Sequence, residues 1–188
     1  EGDTPPAGIH LPDEFFLFVG SLEPGKNIRL LHQAWETASA AGREIPPLVI
    51  VGSRWAGVEG EASPPADWIY LGYQPDNVLR YLYRHAMALV FPSQYEGFGL
   101  PVLEAMSLGC PVICSHVASL PEVGGDAVMY CDPDPESYLA GMRRILLDQD
   151  LRRNLISAGM VQSEKFSWKK CAEETVTVYQ AVCRGCVA

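Results

Sequence analysis

The chain has 188 residues, 48% of them hydrophobic, which is enough for one substantial core and sets a single domain as the default. A formal net charge of −9 argues against nucleic acid or an acidic membrane face as a main partner. No apolar run reaches the roughly 18 residues that a membrane-spanning helix needs, so no transmembrane segment is expected.

The chain opens Glu1-Gly2-Asp3-Thr4-Pro5-Pro6, with neither Met nor a leader pattern, and residues 1–14 read as the edge of a linker. Phe15 to Gly20 is a continuous apolar run, typical of a buried parallel strand. A turn over Ser21 to Asn27 follows, then a helical pattern from Ile28 to about Ala41. Pro47 to Gly52 reads as a second strand, Ser53 to Ala66 as a loop rich in Gly, Pro and Ser, and Trp68 to Tyr73 as a third strand. Asp76 is expected to cap a helix running to about His85. Ala88 to Pro92 and Pro111 to Cys114 are the fourth and fifth strands, with a glycine turn and a helix between them.

Leu120 to Val123 makes a short helical turn before a sixth strand over Ala127 to Cys131. Asp134 as N-cap and Pro135 at the first helical position open a helix with Leu139, Met142 and Leu146 on one face. Another helix is expected from Asp150. The last runs from Trp168, with Cys171, Thr175, Tyr179 and Val182 on one side. Apolar strands alternating with helices define an α/β fold: a Rossmann-like parallel sheet of about six strands, helices on both faces. Residues 15–182 form that domain and 183–188 a tail. The six cysteines read as free thiols in a reducing compartment, because Cys183-Arg184-Gly185-Cys186 has no second pair with zinc-ligand spacing.

Chemistry concentrates between the fourth and fifth strands, in Tyr95-Glu96-Gly97-Phe98-Gly99-Leu100-Pro101-Val102-Leu103-Glu104-Ala105-Met106. A strand feeding a glycine turn into a helix N-terminus is a phosphate-binding geometry. Pro101 fits the first helical position, where its missing N–H costs nothing. The amides around Gly99, Leu100, Val102 and Leu103 would then be unpaired donors, backed by the positive end of the helix dipole. Gly97 and Gly99 let the main chain approach a ligand. Glu96 and Glu104 flank the turn, eight positions apart. Carboxylates accept from hydroxyls, so the pair reads as gripping sugar hydroxyls on either side of a diphosphate. Lys26 would stand at a helix start, against the positive dipole end, which is unfavourable without an anion nearby. In an open parallel sheet the ligand lies beyond the carboxyl ends of the strands, where the loops 21–27, 52–55 and 94–99 converge.

The Glu-x7-Glu segment in this context resembles the retaining glycosyltransferases of the large family 4, which have the two-domain GT-B architecture. The resemblance implies that Glu96 touches the transferred sugar and Glu104 the ribose diol. It further implies that the Gly97, Phe98 and Gly99 amides, with Leu100 beside them, approach the sugar and diphosphate. Gly20-Ser21-Leu22-Glu23-Pro24-Gly25-Lys26-Asn27 is similar to the family's Gly-x-Leu-x-Pro-x-Lys-Asn loop, so Gly20, Ser21 and Lys26 join the donor site. Lys26 there steadies the leaving diphosphate, making Lys26 and Glu96 the catalytic pair. Many members carry Arg where this chain has Ser21. Arg54 and Tyr73 are candidates for holding the base, and Tyr73 reads first as a rim aromatic with its hydroxyl in water. Glu122 resembles a residue lining the donor site.

Nothing in the chain corresponds to the family's N-terminal acceptor domain. The resemblance therefore implies a C-terminal, nucleoside-diphosphate-sugar-binding domain, inactive by itself, whose closing helix crosses to the partner domain. The parent enzyme would move a hexose, mannose or glucose, to a glycan or lipid-linked acceptor in polysaccharide assembly. No cofactor or metal is expected, and the location is cytoplasmic or peripheral to the cytosolic face of a membrane. A GT-B nucleotide-sugar epimerase and a non-catalytic nucleotide-sugar-binding module are the alternatives.

Overall fold

Strands that are apolar on both sides need cover on both sides, and this architecture supplies it. A computed structural model describes residues 4–8, 10–53 and 68–185. Among them six strands form one sheet: β1 (Phe16–Val19), β2 (Leu48–Val51), β3 (Ile69–Gly72), β4 (Leu89–Phe91), β5 (Val112–Ser115) and β6 (Met129–Cys131). Their spatial order is β3-β2-β1-β4-β5-β6, and every pairing is parallel. Chain direction across the sheet reverses between β1 and β4, which makes that junction the topological switch point.

The helices are α1 (Ile28–Ala40), α2 (Asp76–His85), α3 (Leu100–Ser107), α4 (Leu120–Gly124), α5 (Pro135–Leu147), α6 (Gln149–Ser163) and α7 (Trp168–Gly185). Alternation along the strands sorts the core into two layers. Phe16, Phe18, Leu48, Ile50, Val90 and Ile113 pack with α1 and α5. Leu17, Val49, Val51, Leu89, Phe91, Val112 and Cys114 pack with α2, α3 and α4 on the opposite face. Each such side chain contributes roughly 1.5–3 kcal/mol by leaving water. The sum outweighs any surface ion pair, which is why the strands carry no charge.

α1 forms because Leu30, Leu31, Ala34, Trp35 and Ala38 fall on one stripe, all buried. α6 packs on α3, with Met106 against the bare backbone of Gly159. α7 differs from the rest: Trp168, Val176, Val178, Tyr179 and Val182 are all exposed. It runs on to Gly185, past the point where a tail was expected. Among the described residues no helix is long and apolar enough to cross a membrane.

The starts of α2 and α6 differ from the sequence reading. Asp76 is the first residue of α2, not its cap; the Pro75 carbonyl accepts from the amides of Val78 and Leu79. Asp76 still favours the helix as an acid in the first turn. α6 is capped by Asp148, whose carboxylate accepts from the Leu151 amide at 2.8 Å, so the helix begins at Gln149, ahead of Asp150. Asp134 caps α5 as expected, accepting from the Ser137 amide at 2.8 Å. The loop expected over Ser53 to Ala66 lies almost wholly outside the described residues, as does Cys186 of the terminal cysteine pair.

Candidate functional site

At the switch point the chain leaves β1 toward α1 on one face and leaves β4 toward α3 on the other. Backbone contacts tie these exits together. Gly20 donates to the Val51 carbonyl at 2.9 Å, Leu22 to Ser53 at 2.9 Å, and Gly52 to Gly72 at 2.9 Å. The Gln94 amide reaches back to the Gly25 carbonyl at 2.9 Å, joining the loops after β4 and β1. At Gly52 a Cβ would lie 1.9 Å from the Gly20 carbonyl oxygen, so only glycine fits.

Lys26 closes a single turn of 3-10 helix over Pro24–Lys26, which ends at Asn27 in a left-handed conformation. Asparagine tolerates that conformation, and it redirects the chain into α1. The turn lays the Lys26 side chain near Gly20 and brings its ammonium 2.6 Å from Glu96 Oε1. Both side chains are largely buried, at 16% and 10% exposure. The ammonium also lies 5.3 Å from the centre of the Phe91 ring at the end of β4, a cation–π contact worth about 0.5–1 kcal/mol. The anion that the Lys26 position demanded is thus Glu96 itself.

Glu96 is held from behind as well. Ser119, just before α4, donates its hydroxyl to the Glu96 carbonyl at 3.0 Å. α3 begins one residue earlier than expected: Gly99 is its N-cap, and Pro101 is the second helical residue. The Gly99 carbonyl accepts from Val102 at 3.0 Å and Leu103 at 3.3 Å, so those two amides are not the free donors expected of them. Among the described residues the amides of Gly97, Phe98, Gly99 and Leu100 donate to nothing, which moves the anion-binding group toward the turn. Gly99 has φ +99°, and a Cβ there would meet Leu120 at 2.6 Å. Phe98 turns its ring onto Phe166, edge to face at 5.9 Å, which leaves its backbone as the part offered to a ligand.

Glu104 lies further along α3, and its carboxylate meets α2 rather than Lys26. The Tyr83 hydroxyl donates to Glu104 Oε2 at 3.0 Å. Burial pushes the Glu104 carboxyl above its ordinary value; the Tyr83 bond opposes that shift and the charge of Asp76 adds to it. Burial, reinforced by Glu104, likewise holds the Tyr83 phenol well above 10.

Of the expected site residues, the structure brings Gly20, Ser21, Lys26, Glu96, Gly97, Phe98, Gly99 and Leu100 to the β1/β4 exits, with Glu104 on the helix that follows. Tyr73, after β3, is 83% exposed, as a rim aromatic would be. Arg54 lies outside the described residues. Glu122 is exposed on α4. Sequence reading missed Tyr83 and Ser119. Tyr83 resembles any core aromatic on a helix; its one signal was a hydroxyl on the buried face of α2, which needs a partner.

A doubly covered parallel sheet of this order is Rossmann-like, and it matches the α/β lobe of GT-B glycosyltransferases. The chain belongs to the glycosyl transferases group 1 family, whose family model matches residues 3–161. It is 43% identical over 175 residues to the O-antigen chain mannosyltransferase B of Escherichia coli, covering 88% of this chain and 45% of that protein. Among solved structures, sucrose-phosphate synthase from Thermosynechococcus elongatus superposes with a TM-score of 0.74 at 25% identity, over 93% of this chain and 47% of that one. Anabaena HepE, solved with UDP and glucose, superposes with a TM-score of 0.73 at 16% identity, over 89% and 48% of the two chains, a likeness of fold. The chain thus spans about half the length of these relatives.

Proposed function

We propose that this chain is the donor-binding lobe of a retaining hexosyltransferase that uses a nucleoside-diphosphate sugar, with mannose as the first candidate. One observation carries the reading: a buried Lys26–Glu96 pair stands at the switch point beside the unpaired amides of residues 97–100. The mannosyltransferase relative supports the choice of sugar. Cys110, Cys114, Cys131, Cys171 and Cys183 are free thiols, which fits the reducing cytoplasm.

In this reading the diphosphate meets the amides at the start of α3 and draws the Lys26 ammonium from Glu96. Glu96, released, accepts a hydroxyl of the sugar, while Glu104 accepts from the ribose diol. As the anomeric C–O bond lengthens, negative charge grows on the terminal phosphate oxygen. Lys26 and fixed amides stabilise it without reorganising, the kind of preorganisation whose loss costs on the order of 100-fold per donor removed. The acceptor hydroxyl attacks on the face the diphosphate leaves and passes its proton to the departing phosphate oxygen, giving retention, and the reading calls on no metal or cofactor. A second lobe would hold the glycan or lipid-linked acceptor, and the exposed apolar side chains of α7 are the surface we assign to it.

Calorimetry of this chain with GDP, UDP and ADP tests the core of the proposal. One of the three should bind with micromolar affinity, and Lys26→Ala should abolish the heat. Failure of all three to bind would refute the reading.

A further inference from the structure

Tyr83 sits at 1% exposure in the layer packed by α2 and α3, among side chains whose work is apolar packing. A phenylalanine would fill the same volume there. The hydroxyl that distinguishes the residue makes one bond, to Glu104 Oε2, 3.0 Å away and 21 positions along the chain. The bond joins α2 to α3 through the carboxylate, in a part-buried setting, while the Glu104 residue as a whole stays exposed. Oε1 has no partner among the described residues. A tyrosine buried for packing alone would be served as well by a carbonyl acceptor. Here it holds half of a carboxylate and leaves the other half turned loose.

We infer that Tyr83 is a positioning residue for the donor: it fixes one oxygen of Glu104 so that the other is presented to a pair of neighbouring hydroxyls. The inference rests on the role proposed above for Glu104. An exposed glutamate has several rotamers, and choosing one on binding costs side-chain entropy. The Tyr83 bond makes that choice before the ligand arrives. It also favours the charged form of the carboxylate: the groups facing it are Tyr83 and Asp76, both from α2, and the Tyr83 bond lowers its pKa against the larger effect of burial and the Asp76 charge. Burial holds the phenol protonated well above pH 10, so it remains a donor throughout the working range.

The test uses the full-length protein that carries this chain, titrated with the nucleoside diphosphate that binds and with its 2′,3′-dideoxy form. Tyr83→Phe should weaken the ribose form about tenfold and leave the dideoxy form unchanged. The acidic limb of ribose-form binding should move to higher pH, because Glu104 loses the bond that favours its charged form. Incorporation of 3,5-difluorotyrosine at position 83, which keeps the shape and strengthens the donor, should move the limb to lower pH. That second variant decides the matter if Tyr83→Phe does not fold. Equal weakening of both ligands, or of neither, would overturn the inference, provided Glu104→Gln discriminates between them. If Glu104→Gln also fails to discriminate, the ribose role of Glu104 falls, and this inference with it.

Discussion

Glu96 and Glu104 belong to one motif and stand in opposite surroundings. Glu96, ahead of α3, is 9% exposed and holds a cation. Glu104, within α3, is exposed as a residue and takes one bond from a neutral phenol. The first carboxylate is neutralised by the protein and must exchange partners before it can meet a ligand. The second is partly desolvated, and among the described residues its one side-chain bond comes from Tyr83. Identical side chains eight positions apart are therefore set for different work by what the fold puts beside them.

The comparison breaks most sharply at Lys26. Lys26→Ala strands Glu96 as a buried, unpaired charge, and also removes the cation proposed to steady the leaving group. Turnover of the full-length enzyme should fall about 100-fold or more. Stability should drop by about 2–3 kcal/mol, somewhat less than a fully buried pair would lose, measured as a lower denaturant midpoint. Glu96→Gln separates the two effects. It should cost turnover, yet the freed ammonium should bind nucleoside diphosphate at least as tightly as before; weaker binding by calorimetry would show that the pair does not exchange.

Glu104→Gln gives the smallest change in stability, and its sign is informative. A carboxyl whose pKa is raised on folding contributes most stability below the ordinary carboxylate range, and loses it as pH rises through the raised value. At neutral pH the charged group is therefore a net cost to the fold. The glutamine variant should melt at the same temperature or higher, while ribose-nucleotide binding weakens about tenfold. A lower melting temperature would mean that Glu104 serves the fold instead.

Much of the architecture was legible because the strands are short apolar runs, several of them ended by glycine or proline, as in Phe15 to Gly20 and Pro47 to Gly52. Local spacing also exposed the turn from Glu96 to Glu104. Contacts that join distant stretches were not legible. The Lys26–Glu96 bond spans 70 positions, so each residue could only be assigned a ligand separately. Tyr83 was hidden for another reason: on a helix face made of core residues, a hydroxyl leaves no trace in periodicity. Helix starts slipped by one or two residues where adjacent caps compete, at Pro75 and Asp76 and again at Asp148 and Asp150.

Where β1 and β2 end, Gly52 lies against the Gly20 carbonyl with no room for a single carbon between them. A surface made of bare main chain has no side chain to exchange, so substitution cannot retune it. Exchangeable side chains at this edge are left to places such as Tyr73 and Tyr95, whose rings stand in solvent.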